Sequence, residues 1–428
     1  MQLLDTTLRE GEQTPGVSFS IDEKKKIARA LDEFGIDIIE LGHPVVSDDI
    51  EKACSIIADE GLEAETMAHS RALKEDIDSA KNTGVDWVGI FLGTSQLSLE
   101  YKLHTDRSGA LEKIRESVSH AKEIGLKVRF TPEDATRTDL GYLEEAVSAA
   151  TEAGADRISI ADTVGTATPE TYGKLIENTV NSVDVPVHTH CHNDYGMAVA
   201  NSLAGFEAGA FLIDITVNGL GERTGIPPLA PIAVALTRLY NVDKDWNLEA
   251  LPEISHTVEK ASGLFNSETD PIVGEYAFSH KSGLHTKAVL EDPETYEAIP
   301  PEIVHKQREI IIDKYAGKAA VKDRLNEMGV EPDEEQLGEI VSRVKQSASD
   351  GKTRFTDIDL LEIADKVLDL EIKSRIPAGV EALVSFSLNS TSYTTRATRK
   401  IAAFDEVDTV YELTGDHDIQ AHLESSSV

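Results

Sequence analysis

Cysteine, methionine, tryptophan and positive charge are all scarce in this chain. Only two cysteines occur among 428 residues, Cys54 and Cys191. They lie far apart and fit neither a metal-ligand nor a redox spacing. That excludes a disulfide scaffold and predicts reduced thiols in a cytoplasmic protein. No run of about 18 apolar residues occurs, so no membrane-spanning helix is expected. The first residues read as a strand and not as a signal peptide. Lysine plus arginine number 41 against 77 aspartate plus glutamate, a net charge of −36. This deficit argues against nucleic acid and anionic membrane as partners. The acid is spread along the whole chain, the pattern of halophilic adaptation, where salt screens the self-repulsion. An acidic ligand-binding surface is the competing account. No Gly-x-Gly-x-x-Gly follows the first apolar segment, which counts against a dinucleotide fold.

What is present is enough apolar residue, 40%, for a real core, and enough length for two or three domains. From residue 1 to about 235 one unit repeats: a short apolar strand, then a helix-patterned stretch, often with glycine before the next strand. Strands are expected at 3–7, 37–41, 64–69, 87–92, 127–131, 157–161, 187–192 and 212–217. Eight strands alternating with helices predict a parallel sheet closed into a (β/α)8 barrel, with a doubly wound open sheet as the alternative. The catalytic barrel with its flanking helices is read as 1–265. A polar, His-bearing lid segment follows at 266–315, a helical region at 316–376, and a last domain at 377–428. The last segment reads as β-α-β-β, with strands at 381–388, 407–413 and 418–423 and a helix at 390–404. That is the first part of a ferredoxin-like α+β unit.

In a barrel of this kind, chemistry sits where strands end and loops begin. The first strand ends in Thr6-Thr7-Leu8-Arg9-Glu10-Gly11-Glu12-Gln13. The second ends in Glu40 and the third in His69. The fifth runs into Glu133-Asp134 and the sixth into Asp162-Thr163. The seventh carries His188-Thr189-His190-Cys191-His192-Asn193-Asp194. Alternation puts His188, His190 and His192 on one face. Imidazoles side by side on a buried face call for a divalent metal, or else they are satisfied core histidines. Strands one and seven are separated around the ring only by strand eight, so Glu10 is the carboxylate best placed to join His190 and His192. Two imidazoles and a carboxylate leave positions for substrate oxygens, although the same set also serves iron oxygenases. Arg9 is placed to stabilise a developing enolate or alkoxide, or to pair with Glu10 or Glu40. Taken alone, Thr163 reads as a helix cap and His285 as a solvated loop residue.

Three motifs carry a resemblance: Asp5-Thr6-Thr7-Leu8-Arg9-Glu10-Gly11-Glu12-Gln13, His190-Cys191-His192-Asn193-Asp194, and Asn218-Gly219-Leu220-Gly221-Glu222-Arg223. Over residues 2–370 the chain resembles the DRE-TIM metallolyase superfamily. Within it, the chain is similar to the Claisen-condensing synthases that make homocitrate, 2-isopropylmalate and citramalate. The resemblance implies that Glu10, His190 and His192 bind Mg, Mn or Zn. It implies that Arg9 and Thr163 grip a 2-oxo acid, with Gln13, Glu40, His69, Arg129 and Thr131 also in the substrate site. Acetyl-CoA is the implied co-substrate. His285 matches the family's catalytic histidine, which enters from a second subunit, so a homodimer with exchanged lids is implied. Tyr296 and Glu133 match its helpers.

The implied 2-oxo acid is 2-oxoglutarate. Ile226 after Gly225 is as in homocitrate synthases, and His69 matches a histidine that faces the distal end of that substrate. The segment from Thr94 to His104 instead has the length of the isopropylmalate or citramalate type and lacks an arginine for a distal carboxylate, leaving Lys102 or His104 to substitute. The C-terminal segment resembles the small-ligand domain of Lrp-type regulators, found behind some archaeal homocitrate synthases, which implies an amino-acid effector. It ends early, and a dimerisation or stability role is the alternative. Two further readings stand beside the acyltransferase: an idle barrel kept as an amino-acid-responsive partner, and a lyase running the reverse reaction.

Overall fold

The structure, a computed structural model, describes residues 1–281, 283–352, 355–370, 380–386, 401, 407–412 and 419–425. Two compact units are present. One comprises residues 1–266 with 271–273, the other 267–270 with 274–428.

The first unit is a closed barrel of eight parallel strands in sequential order. These are β1 (Gln2–Asp5), β2 (Ile38–Gly42), β3 (Glu65–Arg71), β4 (Trp87–Gly93), β5 (Lys127–Glu133), β6 (Arg157–Asp162), β7 (Val187–Cys191) and β8 (Leu212–Ile215). The register closes through β1 and β8, with Leu4 opposite Asp214 and Asp5 opposite Ile215. β1 and β8 are shorter than the sequence pattern suggests. The chain leaves β1 after Asp5 because the N–H groups of Arg9, Glu10 and Gly11 all turn back onto the Thr6 carbonyl, at 3.1, 2.7 and 3.2 Å.

The helices begin and end where local chemistry dictates. α1 (Ile21–Phe34) starts at Ser20, which forms a capping box with Glu23, and stops at Gly35, whose φ of 98° takes the left-handed turn. Its buried Ile27, Ala28, Leu31 and Phe34 repeat at helical spacing and face the barrel. Around the ring follow α2 (Asp48–Ala58), α3 (Lys74–Asn82), α4 (Arg107–Glu123), α5 (Leu140–Glu152), α6 (Pro169–Ser182), α7 (Ala198–Glu207) and α8 (Leu229–Leu239). α6 is capped by Thr168, with Pro169 at its first position. Thr163, expected as a cap from sequence alone, lies earlier in that loop and does other work. One glycine sets the position of the histidine strand. A Cβ on Gly205 of α7 would lie 2.4 Å from Thr189 Cγ2, so only glycine lets α7 sit this close on β7. α9 (Leu251–Ser262) closes the unit. Cys54 and Cys191 are both buried and free.

In the second unit, β9 (Ser279–His280) pairs in parallel with β10 (Glu309–Ile310), and α10 (Gly283–Glu291) lies between them in sequence. α11 (Lys318–Glu327), α12 (Glu334–Ser349) and α13 (Asp357–Leu368) bury Val321, Leu325, Leu337, Ile340, Val344, Leu360 and Ile363 as a core of their own. The C-terminal strands are β11 (Val380–Phe386), β12 (Val407–Glu412) and β13 (Ile419–Ser425), in antiparallel order β11-β13-β12. With β13 between them, β11 and β12 run parallel, the split order of a β-α-β-β unit. The helix expected at 390–404 lies outside the described residues except for Ile401. Among the described residues, no helix is long and apolar enough to cross a membrane.

Candidate active site

The polar strand ends converge at one mouth of the barrel. Glu10, just past β1, lies beside His190 on β7 and His192 just beyond it. One ligand atom from each of the three lies within 4.8 Å of the other two, and all three residues are buried. β8, lying between, is only four residues long, and its loop folds back over the carboxylate. The N–H of Glu222 donates to Glu10 Oε1 at 2.9 Å. A Cβ on Gly221 would lie 3.1 Å from Glu10 Cγ, so the loop reaches this close only as glycine.

Burial alone would raise the Glu10 carboxyl, but Arg9, with His190 and His192 next, holds it at about 2. Burial also pushes His192 down to about 4, with His190 adding to the shift. The imidazole of His192 is therefore neutral and its Nδ1 is buried with no hydrogen-bond partner. A neutral ring with an orphaned nitrogen beside an ionised carboxylate and a second imidazole is a donor set that fits a divalent cation. The implied metal and the residues present are compatible.

Arg9 is buried and donates through Nε to Glu40 Oε2 at 2.7 Å; its Nη1 pairs with Glu10 Oε2. Glu40 gathers more partners than any other acid in the mouth. Thr6 Oγ1 donates to it at 2.6 Å, His69 Nδ1 lies 3.0 Å from Oε1, and Arg129 Nη2 reaches Oε1 at 3.3 Å. Burial opposes its charge, yet Arg9, His69 and Arg129 keep it well below the usual carboxylate range. Arg129 continues the chain of charge, with Nη1 donating to Asp214 Oδ2 at 2.9 Å. Its Nε and the hydroxyl of Thr131 are buried without partners. Sequence reasoning missed Asp214. Its signal was an acid in the otherwise apolar run Leu212-Ile213-Asp214-Ile215.

His69 lies on the β3 side of the mouth. Its ring stacks on Phe91 at 4.7 Å and meets His43 edge-on at 5.7 Å. Burial, then Arg9, lowers it to about 4. His43, also missed from sequence, is tied by Nε2 to Asp76 Oδ2 at 3.2 Å, and Asp76 is gripped by Arg71. Lys102 is not free: its Nζ donates to both oxygens of Glu133 at 2.7 Å. Thr163 Oγ1 accepts from the N–H of Asp134 at 2.8 Å, and its carbonyl accepts from Arg223, which is also clamped to Asp194. Gln13 is exposed and lines a cavity of about 480 Å³ that opens beside Arg9, Phe19 and His43.

His285 and Tyr296 belong to the second unit. Their rings stack at 4.0 Å and both side chains are exposed. His280 Nε2 lies 3.0 Å from Glu297 Oε1, and Arg308 holds the other oxygen of Glu297 at 2.6 Å, which fixes the segment that carries Tyr296.

Residues 1–258 match the HMGL-like family, and residues 272–352 match the homocitrate synthase post-HMGL domain-like family. The chain is 45% identical to a homocitrate synthase of Sulfolobus acidocaldarius over 429 aligned positions, covering 99% of this chain and 91% of that one. It is 50% identical over 352 positions to a probable 2-isopropylmalate synthase of Methanopyrus kandleri, covering 82% of this chain and 70% of the relative. Among solved structures, an HMG-CoA lyase of Bacillus subtilis superposes with a TM-score of 0.57 at 19% identity, over 62% of this chain and 94% of the lyase. That likeness supports the barrel fold alone. The two family matches and the full-length relatives show that this chain belongs to the HMGL-like DRE-TIM metallolyases, in the homocitrate synthase and 2-isopropylmalate synthase family.

Proposed function

We propose that the chain is a divalent-metal-dependent acyltransferase that condenses acetyl-CoA with 2-oxoglutarate and hydrolyses the thioester to release homocitrate and CoA. The observation that carries this is the buried trio of Glu10, His190 and His192 with the Arg9 guanidinium packed against it. Glu10, His190 and His192 would hold the ion, and Mg, Mn or Zn bound there would supply the Lewis acidity that polarises a 2-oxo acid. Arg9 stabilises the negative charge that develops on the keto oxygen as the new carbon–carbon bond forms. Thr163 and Thr131 orient the substrate head, and the unpartnered Thr131 hydroxyl supports that role. Gln13, on the cavity wall, contacts bound substrate.

His285, with Tyr296 stacked on it and Glu133 assisting, carries protons between the acetyl methyl group, the new alkoxide and the water that cleaves the thioester. We read it as acting on the partner's barrel in a homodimer. Mixing Glu10→Ala with His285→Ala subunits tests this. Each heterodimer then keeps one site with an intact barrel and an intact lid, and about a quarter of wild-type activity returns. No recovery from subunits shown to exchange would place the lid in its own subunit's site.

His69 is the residue we assign to the distal carboxylate. A second reading, 2-oxoisovalerate as substrate and 2-isopropylmalate as product, is favoured by the Methanopyrus relative and by the apolar Phe91 wall behind His69. The split strand order of the C-terminal sheet supports an amino-acid effector module there. A free-thiol assay with acetyl-CoA, Mg or Mn, and each of 2-oxoglutarate, 2-oxoisovalerate, pyruvate and oxaloacetate decides the activity. No CoA release with any of them sinks the acyltransferase reading. Preference for 2-oxoisovalerate selects the second.

A further inference from the structure

All four residues of β8 are buried, and one of them is Asp214. A carboxyl group in such a place is costly unless charged and hydrogen-bonding groups compensate. Two do so on the same oxygen. Arg129 Nη1 donates to Asp214 Oδ2 at 2.9 Å, and His190 Nδ1 lies 3.0 Å from it. The Arg129 guanidinium can only donate, so Asp214 Oδ2 is the acceptor of a buried ion pair. A contact of 3.0 Å between an acceptor-only oxygen and a ring nitrogen requires the hydrogen to sit on that nitrogen. In the neutral ring, Nε2 then carries the lone pair, and it is the atom left for the cluster with Glu10 and His192.

Arg129 removes the remaining freedom. Its guanidinium is 2% exposed. It is fixed on its other side by Glu40 Oε1 at 3.3 Å, so the guanidinium that meets Asp214 is held from two directions. His188 does not share this role, because its Nδ1 stands 3.6 Å from Asp214 Oδ1, beyond hydrogen-bond reach. We propose that Asp214 is a positioning residue, clamped by Arg129, that holds His190 as its Nδ1–H tautomer and aims Nε2 at a divalent cation. Metal-bound histidines gain affinity when a carboxylate orients them in this way. The proposal rests on the reading of Glu10, His190 and His192 as the cation site.

The test uses the full-length protein labelled with ¹⁵N-histidine and freed of metal. Long-range ¹H–¹⁵N correlation spectra, with His190 assigned by its loss in His190→Gln, should show the Nδ1–H form in the wild type. In Asp214→Asn that form should give way to a mixture of tautomers. The Mn dissociation constant, read from the electron paramagnetic resonance of free Mn, should rise roughly 10–100-fold in this variant. The midpoint of thermal unfolding should fall far less than a lost core would require, and Asp214→Glu should recover part of the affinity. A wild-type His190 in the Nε2–H form overturns the proposal even if Asp214→Asn does not fold. So does an Asp214→Asn protein that binds Mn as tightly as the wild type. A wild type that binds no divalent cation defeats the reading of the trio, and the tautomer measurement then still decides the role of Asp214.

Discussion

The two ends of the barrel mouth are built on different principles. Around Glu10, charges alternate without a gap: Glu10 with Arg9, Arg9 with Glu40, Glu40 with Arg129, and Arg129 with Asp214, which also meets His190. All of these are buried. Removing one partner would strand another charge away from water, at a cost of about 3–5 kcal/mol. Around His69 there is instead one imidazole leaning on Glu40, flanked by Phe91 and His43 rings, with Lys102 already committed to Glu133. The first arrangement can do one chemistry and tolerates little change. The second can be retuned by exchanging one or two side chains without unpairing the rest. That contrast supports the proposed assignment of the 2-oxo acid's head to the first end and of its distal group to the second.

The largest expected effect belongs to the head end. Glu10→Gln keeps the shape and removes the charge, and CoA release should fall by about 10³-fold, with Mn binding lost by calorimetry. A variant that kept a tenth of the activity would break the contrast between the two ends. At the distal end, His69→Ala should raise the KM for 2-oxoglutarate roughly 10–100-fold, the worth of one charged hydrogen bond, and leave kcat within about threefold. A fall in kcat as large as that of Glu10→Gln would show His69 to be part of the chemistry.

The acid–base state of His69 sharpens the same point. It titrates near 4 in the free protein, so it is neutral at pH 7. Its Nδ1 is engaged with Glu40. A second carboxylate docking at the other nitrogen favours the imidazolium, so binding takes up a proton. The KM for 2-oxoglutarate should therefore rise with pH above about 4, up to the raised value that His69 acquires in the complex. The KM for 2-oxoisovalerate, which has no distal carboxylate, should stay flat. Equal slopes for the two acids would remove His69 from substrate discrimination.

The smallest effect concerns the whole surface. With a net charge of −36, raising KCl from about 0.1 M to about 1 M shortens the screening length from roughly 10 to 3 Å and relieves self-repulsion. The thermal midpoint should rise, whereas the buried head-end pairs should respond little. A midpoint that is flat or falls with salt would defeat the reading of the surface acid as salt adaptation.

Much of the barrel was legible because its signals are local. Glycine before most strands, apolar runs of strand length, and helical spacing such as Ile27, Ala28, Leu31 and Phe34 need no knowledge of the rest of the chain. Helix caps were legible only approximately. Thr163 reads as a cap by residue type, and the backbone path of the loop gives the role to Thr168 instead. The trio of Glu10, His190 and His192 was foreseeable because barrel topology makes β1, β8 and β7 neighbours. Of the partners of Glu40, only Arg9 is legible in the sequence. The others come from the end of the first strand and from the third and fifth, and no spacing in the chain relates Thr6, His69 and Arg129 to it.

By itself, the sequence determined the alternation of strands and helices, the ends at which polar residues gather, and the residue types that suit a divalent cation and a 2-oxo acid. Those properties depend on near neighbours and on the two- and 3.6-residue periods of the backbone. Only the tertiary structure decided that Lys102 is spent on Glu133, that Arg129 is locked between two acids, and that Asp214 stands behind His190. Closing the barrel brings residues 85 and 24 positions apart onto one carboxylate oxygen. In that dry space each charge must find its partner wherever the fold presents it.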